Sequence, residues 1–444
     1  MAIVFAILIF SFLIFIHELG HFLVAKASGV QVNEFAMFMG PAIVKWQRGE
    51  TLYSIRCIPL GGYCAMEGEN EDTDNPRSFQ KAAWWKRLGI LLAGAAMNFV
   101  SGFLIFIHEF GHFITAKLSG VQVNEFSMFM GPAILKKQVG ETLYSLRCIP
   151  IGGYCAMEGE DGDSDNPRSF QKAAWWKRLI ILVAGSAMNF LAGLLILLFL
   201  YLPAQQFIVP VIEEIEAGCA LAGEQGIQVG DRILELDGEK IYVQSDFSML
   251  LGFNGGDVHD LVLERNGEKV VLNDFYMEKR EFDNGDGTTS LRYGFSFAIQ
   301  EANLSDKLGY VWNQAMDTVR MVRLSLQMLF NGRAGLSDMA GPVGIVSQMS
   351  EIAEESETTG LALLNLLSIG SFIAINLAVM NLLPIPALDG GRVLALLITT
   401  GVEALIHKKI DPKYEGYIHG AGMVLLLGLM ALIMFKDIFV LFRG

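Results

Sequence analysis

Residues Phe12 to Phe99 recur as Phe103 to Phe190 without a gap, at a constant offset of 103 − 12 = 91, and most positions are identical. Two copies with apolar ends cannot stack as a solenoid, so the chain is read as a tandem duplication of one unit. Each copy runs from an apolar helix into a polar loop, an acidic stretch and a second apolar helix. The loops carry Arg56-Cys57-Ile58-Pro59-Leu60-Gly61-Gly62-Tyr63 and Arg147-Cys148-Ile149-Pro150-Ile151-Gly152-Gly153-Tyr154. Gly-Gly between short β-favouring runs reads as the turn of a hairpin. The copies share a helix, because Asn98-Phe99 is followed almost at once by Phe103 and His108. One fused span inverts everything downstream unless that segment is re-entrant.

Five apolar runs approach the roughly 20 residues that cross a bilayer as a helix. They are Ala2 to Val24, Leu88 to Ile114, Leu179 to Leu202, Leu361 to Leu383, and Tyr417 to Phe435. The first has no basic flank ahead of it and holds charged residues, which argues against a cleaved signal peptide. A composition of 52% hydrophobic against 18% charged residues is too apolar for an ordinary soluble chain of 444 residues. The net charge of −14, with no Lys and Arg clusters, excludes nucleic acid as a partner. Five cysteines without CxxC spacing point to neither a zinc ribbon nor a redox site. Cys57 with Cys64, and Cys148 with Cys155, are expected to face each other across hairpin strands, reduced if the loop is cytosolic.

Between Pro203 and Phe297, alternating apolar and charged residues with Gly, Asp and Asn turns predict a small soluble β-rich domain. Beyond it, Leu308, Val311, Trp312, Ala315, Met316 and Val319 recur at helical spacing beside Asp317, Arg320 and Arg323. That pattern suits a helix lying on the membrane surface, with packing against a soluble core as the other reading.

Four of seven histidines fall in His17-Glu18-Leu19-Gly20-His21 and His108-Glu109-Phe110-Gly111-His112. On a helix, positions i and i+4 share a face, so both imidazoles can ligate one zinc while the intervening glutamate acts as general base. Ionisable groups inside apolar spans are costly and mark function. A third protein ligand is needed, and Asp389 stands in Asn381-Leu382-Leu383-Pro384-Ile385-Pro386-Ala387-Leu388-Asp389-Gly390-Gly391-Arg392, where prolines and glycines break the helix. Irregular backbone at membrane depth is tolerated where it is buried in protein or lines a wet cavity. His259, His407 and His419 have no such setting and read as ordinary polar residues.

HExxH in an apolar helix, the Gly-Gly-Tyr loop, Ala-Gly-(Ala/Ser)-Ala-Met-Asn-Phe opening the second helix, and Asn381 to Gly391 together resemble the site-2 protease family of intramembrane zinc metalloproteases, closest to the bacterial regulator of sigma-E protease type. Gly226 to Gly238 looks like the core of a PDZ domain, and Ala340-Gly341-Pro342-Val343-Gly344-Ile345 matches a further family motif. The resemblance implies a multi-pass α-helical protein of the bacterial cell membrane, with an inserted small α+β PDZ-like domain and membrane-associated β-hairpins. Its expected parts are a duplicate unit (1–87), a unit with the second HExxH (88–202), the PDZ-like domain (203–302), an amphipathic region (303–360) and C-terminal membrane helices (361–444).

By the same resemblance, zinc is held by the two histidines of one copy and Asp389. Glu109 or Glu18 serves as base, and Asn381, Gly152 and Gly153 accommodate substrate. The substrates implied are pre-trimmed single-span membrane proteins or signal-peptide remnants. Completeness favours His108, Glu109 and His112, because the chain from His108 onward holds every family part in order. His17, Glu18 and His21 keep the cleaner N-terminal span as the alternative. The rival functions are a catalytically silent PDZ-bearing scaffold and a transporter using His and Asp as ion ligands.

Overall fold

The repeat folds twice in the same way. A computed structural model describes residues 2–69, 71, 73–160, 162, 164–283, 288–332, 359–407, 416–425 and 428. Copy one comprises α1 (Ala2–Ala27), β1 (Val32–Arg48), β2 (Thr51–Met66) and the first part of α2 (Trp84–Ser119). Copy two takes the rest of α2, then β3 (Val123–Val139), β4 (Thr142–Met157) and α3 (Trp175–Tyr201). The fused segment is not re-entrant. α2 is continuous for 36 residues, roughly 54 Å at 1.5 Å per residue. No proline interrupts it, and it stops at Gly120, whose φ of 80° lets its N–H cap the carbonyls of Ala116 and Lys117.

The direction of the helices follows from their end contacts. Lys86 Nζ donates to Ser28 O at 2.9 Å, bringing the end of α1 to the start of α2. Lys177 Nζ donates to Ser119 O at 2.9 Å, bringing the end of α2 to the start of α3. Both pairs are antiparallel, so copy two runs through the helix layer in the opposite sense to copy one.

The hairpins form, but Gly-Gly is not their turn. The turns lie at Gly49-Glu50 and Gly140-Glu141, while Gly61-Gly62 and Gly152-Gly153 sit inside β2 and β4. Both strands of each pair bend, so Glu125 to Met128 have neighbours on two sides, at Gly153 to Ala156 and at Leu143 to Leu146. Gly152 takes φ 64° at the bend, and a Cβ on Gly153 would lie 2.7 Å from Ser127 O. Cys148 and Cys155 therefore lie on one strand rather than across from each other. Cys155 pairs with Phe126, Cys64 with Phe35, and all five cysteines are free. Each turn glutamate clasps the end of its HExxH helix: Glu141 accepts from Lys117 at 2.9 Å and from both terminal nitrogens of Arg168. Those hydrogen bonds, with that to Arg168 the strongest, hold its carboxyl down at about 2.

Leu194–Leu324 forms one compact unit, and Met1–Gly193 with Ser325–Gly444 the other. The first contains β5 (Gln206–Ile215), β6 (Arg232–Leu236), β7 (Glu239–Lys240), α4 (Gln244–Asn254), β8 (Val258–Arg265), β9 (Glu268–Tyr276), β10 (Arg280–Asp283), β11 (Thr289–Arg292), β12 (Phe295–Glu301) and most of α5 (Leu304–Phe330). Its main sheet has the order β12-β5-β6-β8-β9, with β7 on β6. Alternation along these strands buries Ile212, Ile233, Leu236, Leu261 and Leu263 with Phe247 and Leu250 of α4. His259 is buried and bridges Asp237 Oδ2 at 2.8 Å and Gly256 O at 3.1 Å, a structural tie.

α5 has two faces. Val311, Ala315 and Val322 are buried, Asn313 donates to Tyr242 O at 3.2 Å, and Arg320 reaches Asp246 at 2.9 Å as well as Asp317 and Lys240 O. Leu304, Leu308 and Trp312 are exposed. In the other unit, α6 (Thr359–Asn381) leads through a broken turn to α7 (Asp389–Ile406), and residues 416–425 are helical. Among the described residues, α3 is the helix long and apolar enough to cross a membrane, and Leu367–Asn381 is a shorter apolar stretch. The Ala340 to Ile345 motif, and the Tyr417 to Phe435 run beyond residue 425 except residue 428, lie outside the described residues.

The Asp246–Arg320–Asp317 cluster makes α5 sensitive to pH. Burial first, and the neighbouring Asp246 second, push the Asp317 carboxyl up to about 6. A raised folded-state value means that its contribution to stability is complete below the ordinary aspartate range and is lost as pH rises through about 6. Amide exchange along α5, corrected for intrinsic rates, should show protection falling between about pH 4 and about pH 6.5 and levelling off above that. Asp317→Asn should flatten that profile, and pH-independent protection in the unaltered chain would contradict the assignment.

Candidate metal centre

His108 and His112 lie one turn apart on α2, both buried, with their Nε2 atoms 3.1 Å apart. The turn between α6 and α7 delivers Asp389, whose Oδ2 lies 2.8 Å from His108 Nε2 and 3.2 Å from His112 Nε2. Tetrahedral zinc with bonds of about 2.0–2.1 Å holds its ligand atoms roughly 3.3 Å apart. The three spacings here are close to that.

The hydrogen bonds behind the imidazoles set which atoms face inward. His112 Nδ1–H donates to Ile181 O at 2.7 Å, which leaves the lone pair on Nε2. His108 Nδ1 faces the amides of Asn189 and Asn381, each at 3.4 Å. Asn189 Oδ1 is buried without a partner. A half-turn of that amide lets Oδ1 accept from His108 Nδ1–H, and the second Nε2 lone pair then also points inward. Asp389 Oδ2 is itself buried without a hydrogen-bond donor. With His112 Nε2 presenting its lone pair, His108 Nε2 beside it and the Asp389 carboxylate oxygen facing both, the three atoms form a donor set that fits a divalent cation.

Space for an ion is also built in. Gly185 of α3 faces the two imidazoles, and a Cβ there would lie 2.5 Å from His112 Nε2 and 2.6 Å from His108 Nε2. Gly111, inside the HExxH segment, lets α2 approach α3, because a Cβ there would meet Ala184 O at 2.4 Å. Glu109, between the histidines in sequence, accepts the Cys155 N–H of β4 through Oε2 at 3.0 Å. The glutamate is thus tied to the strand that carries Gly152 and Gly153.

Copy one repeats nearly all of this. His17 and His21 Nε2 lie 3.2 Å apart, His21 Nδ1–H donates to Ile90 O at 2.7 Å, Glu18 accepts from Cys64 N at 3.0 Å, and Gly94 faces both rings. Among the described residues, no carboxylate joins His17 and His21 as a third ligand. Among the described residues, His108, His112 and Asp389 form the one group of three able to hold an ion. α7 packs on copy two, with Leu396 buried against Ile181 and Leu182 and Arg392 paired to Glu160. Gly193 of α3 meets Ile375 of α6 so closely that a Cβ there would lie 2.5 Å from its Cγ1.

Three residues at this centre escaped the sequence reading. Gly185 and Asn189 belong to the Ala184 to Phe190 motif, and their i, i+4 spacing was the available signal that both share a helix face. His419, read as an ordinary polar residue, accepts the Ala387 N–H at 3.1 Å beside Asp389. No spacing connects it to that turn.

The profile of Peptidase family M50 matches this sequence twice, over residues 5–107 and 101–429. The shorter match contains His17, Glu18 and His21; the longer contains His108, Glu109, His112 and Asp389. The chain is similar to a putative zinc metalloprotease, CPE1693, of Clostridium perfringens, 34% identical over 76% of this chain and 95% of the relative. A putative zinc metalloprotease of Fusobacterium nucleatum, FN1322, is 35% identical over 77% of this chain and 97% of its own length. The regulator of sigma-W protease RasP of Bacillus subtilis is 28% identical over 97% of both chains. The first two relatives are covered almost completely while about a quarter of this chain stays unaligned, roughly the size of one repeat.

Gly185→Ala should lower zinc affinity of the full chain by at least about tenfold, because the new methyl enters the space between the imidazoles. Gly94→Ala makes the same intrusion in copy one and should leave that affinity unchanged. Equal losses in the two variants, measured by metal titration of chelator-stripped protein, would refute the assignment of the ion to copy two.

Proposed function

Since this chain belongs to Peptidase family M50, we propose that it is a zinc-dependent intramembrane endopeptidase whose active site is formed by copy two and Asp389. The observation that carries this reading is the convergence of ligand atoms from His108, His112 and Asp389, all within 4.8 Å of one another. The same convergence favours an enzyme over a silent scaffold, which has no use for a complete ligand set. Zinc bound there supplies Lewis-acid polarisation of the scissile carbonyl and lowers the pKa of water.

The chain's own residues do the rest. Glu109 takes the proton from the attacking water and passes it to the leaving amine. Asn189 and Asn381 orient His108, and Asn381 also accommodates substrate. A membrane helix satisfies its own backbone hydrogen bonds, so a substrate must unwind before an amide can be attacked. The bent β3–β4 sheet, with Gly152 and Gly153 close to the base through Cys155, holds the unwound segment by strand addition.

The chain is a multi-pass protein of the bacterial cell membrane in this reading. The five apolar runs support it, as do Trp84 and Trp85 beside Lys86-Arg87, and Trp175 and Trp176 beside Lys177-Arg178. These tryptophans are exposed at helix starts, where interfacial anchors belong. Residues 203–302 act as a PDZ-like domain that filters substrates, a role supported by the sheet packed on α4 and by the place of β12 at the end of its strand order. The substrates are pre-trimmed single-span membrane proteins or signal-peptide remnants, in keeping with the sigma-W regulator named among the relatives. Residues 1–87 are then a duplicate unit without a catalytic part.

Glu109→Gln keeps the ligands and removes the base, so it should reduce cleavage of a model membrane-helix substrate by about 10² or more while zinc stays bound. Glu18→Gln should cleave at close to the unaltered rate. The reverse pattern would move the active site to copy one, and an unaltered chain that binds no zinc would make it a scaffold. Replacing 208–297 by a flexible linker should preserve zinc and admit untrimmed substrates; loss of zinc from a folded variant would contradict the filter role.

A further inference from the structure

We infer that His419 is a positioning residue that pins the turn carrying Asp389, an inference that rests on the active-site reading above. The turn from Leu382 to Leu388 is short and crowded. Cβ atoms on Gly390 and Gly391 would lie 2.3 Å from the Leu382 and Ile385 backbone, so both positions exclude a side chain. At its end Ala387 takes φ 87°, a left-handed conformation that an alanine rarely adopts and that costs free energy. Such a conformation persists only where surrounding contacts hold it.

Two of those contacts come from the helical residues 416–425. Ala387 N–H donates to His419 Nδ1 at 3.1 Å. One turn further along, Gly422 lies against Pro386, where a Cβ would come within 2.3 Å of the proline Cβ. His419 and Gly422 are three apart and share a helix face. That face clamps Pro386 and Ala387, immediately before Leu388 and Asp389. The α7 helix begins at Asp389, so the direction of its first turn, and with it the aim of Oδ2, follows from the torsion at Ala387.

The acceptor, not the bulk, is the part that matters. His419→Leu keeps much of the volume and removes the acceptor, whereas His419→Asn can offer Oδ1 where Nδ1 stood. In metal-free full-length protein, amide exchange of the peptide carrying the Ala387 N–H should accelerate in His419→Leu and stay slow in His419→Asn. Affinity for cobalt, used as the probe, should fall roughly tenfold or more in His419→Leu, with an altered ligand-field spectrum, and stay within about threefold in His419→Asn. Equal impairment of both variants would make His419 a packing residue and overturn the inference, as would unaltered exchange and affinity in His419→Leu. If His419→Leu does not accumulate, His419→Asn decides: near-normal cobalt affinity supports the pin, and a tenfold loss overturns it. Exchange in the metal-free protein does not depend on hydrolysis, so a failed pin is distinguishable from a failed protease reading.

Discussion

A buried carboxylate oxygen facing two imidazole Nε2 atoms is the constraint around which the unit built from residues 1–193 and 325–444 is arranged. Polar atoms withdrawn from water in this way are costly unless a cation or a proton joins them. The fold fixes the far side of His112 on Ile181 O, which turns its Nε2 lone pair inward, and sets the amides of Asn189 and Asn381 behind His108. Gly185 keeps the centre open and Gly111 brings α3 close enough to matter. The broken turn before α7 then has one task, to carry an acidic side chain to a helix on which it could not otherwise be placed.

The duplication shows how little separates a site from its imitation. Copy one reproduces the histidine pair, the backbone tether of the second ring, the glutamate-to-strand bond and the facing glycine, nearly distance for distance. These features are local, arising from one helix, one bent sheet and the start of the next helix, so they travel with the repeated sequence. The third ligand does not travel, because it belongs to a part of the chain that occurs once. The continuous α2 deepens the difference. It serves copy one near Gly94 and copy two at His108 to His112, roughly 24 Å apart along its axis, and the two copies face opposite ways.

Some expectations failed for reasons of geometry. Gly-Gly between β-favouring runs suits a hairpin turn, yet it lies where β2 and β4 bend, and the turns use Gly49 and Gly140. For the same reason Cys148 and Cys155 share a strand instead of facing each other across one. The apolar spacing of α5 allowed both a membrane-surface helix and packing on a soluble core; Val311, Ala315 and Val322 are covered within its unit, while Leu304, Leu308 and Trp312 are exposed. A period reports that a helix has an apolar face and is silent on what covers it.

The amino-acid sequence by itself determined the ligand types, the helical spacing that aligns each histidine pair, the repeat, the apolar runs and the family to which the chain belongs. All of these are local or periodic properties, readable from neighbours within a turn or a strand. It left open which pair meets Asp389, since His17, Glu18 and His21 stand in the same local context as His108, Glu109 and His112. Tertiary structure decided that through contacts between segments far apart in the chain: Leu396 buried against α3, Arg392 on Glu160, and Ile375 against Gly193. It also brought His419 to Ala387, a pairing across 32 residues with no period to announce it. Contacts of this kind depend on where whole helices meet, which no local spacing or period states.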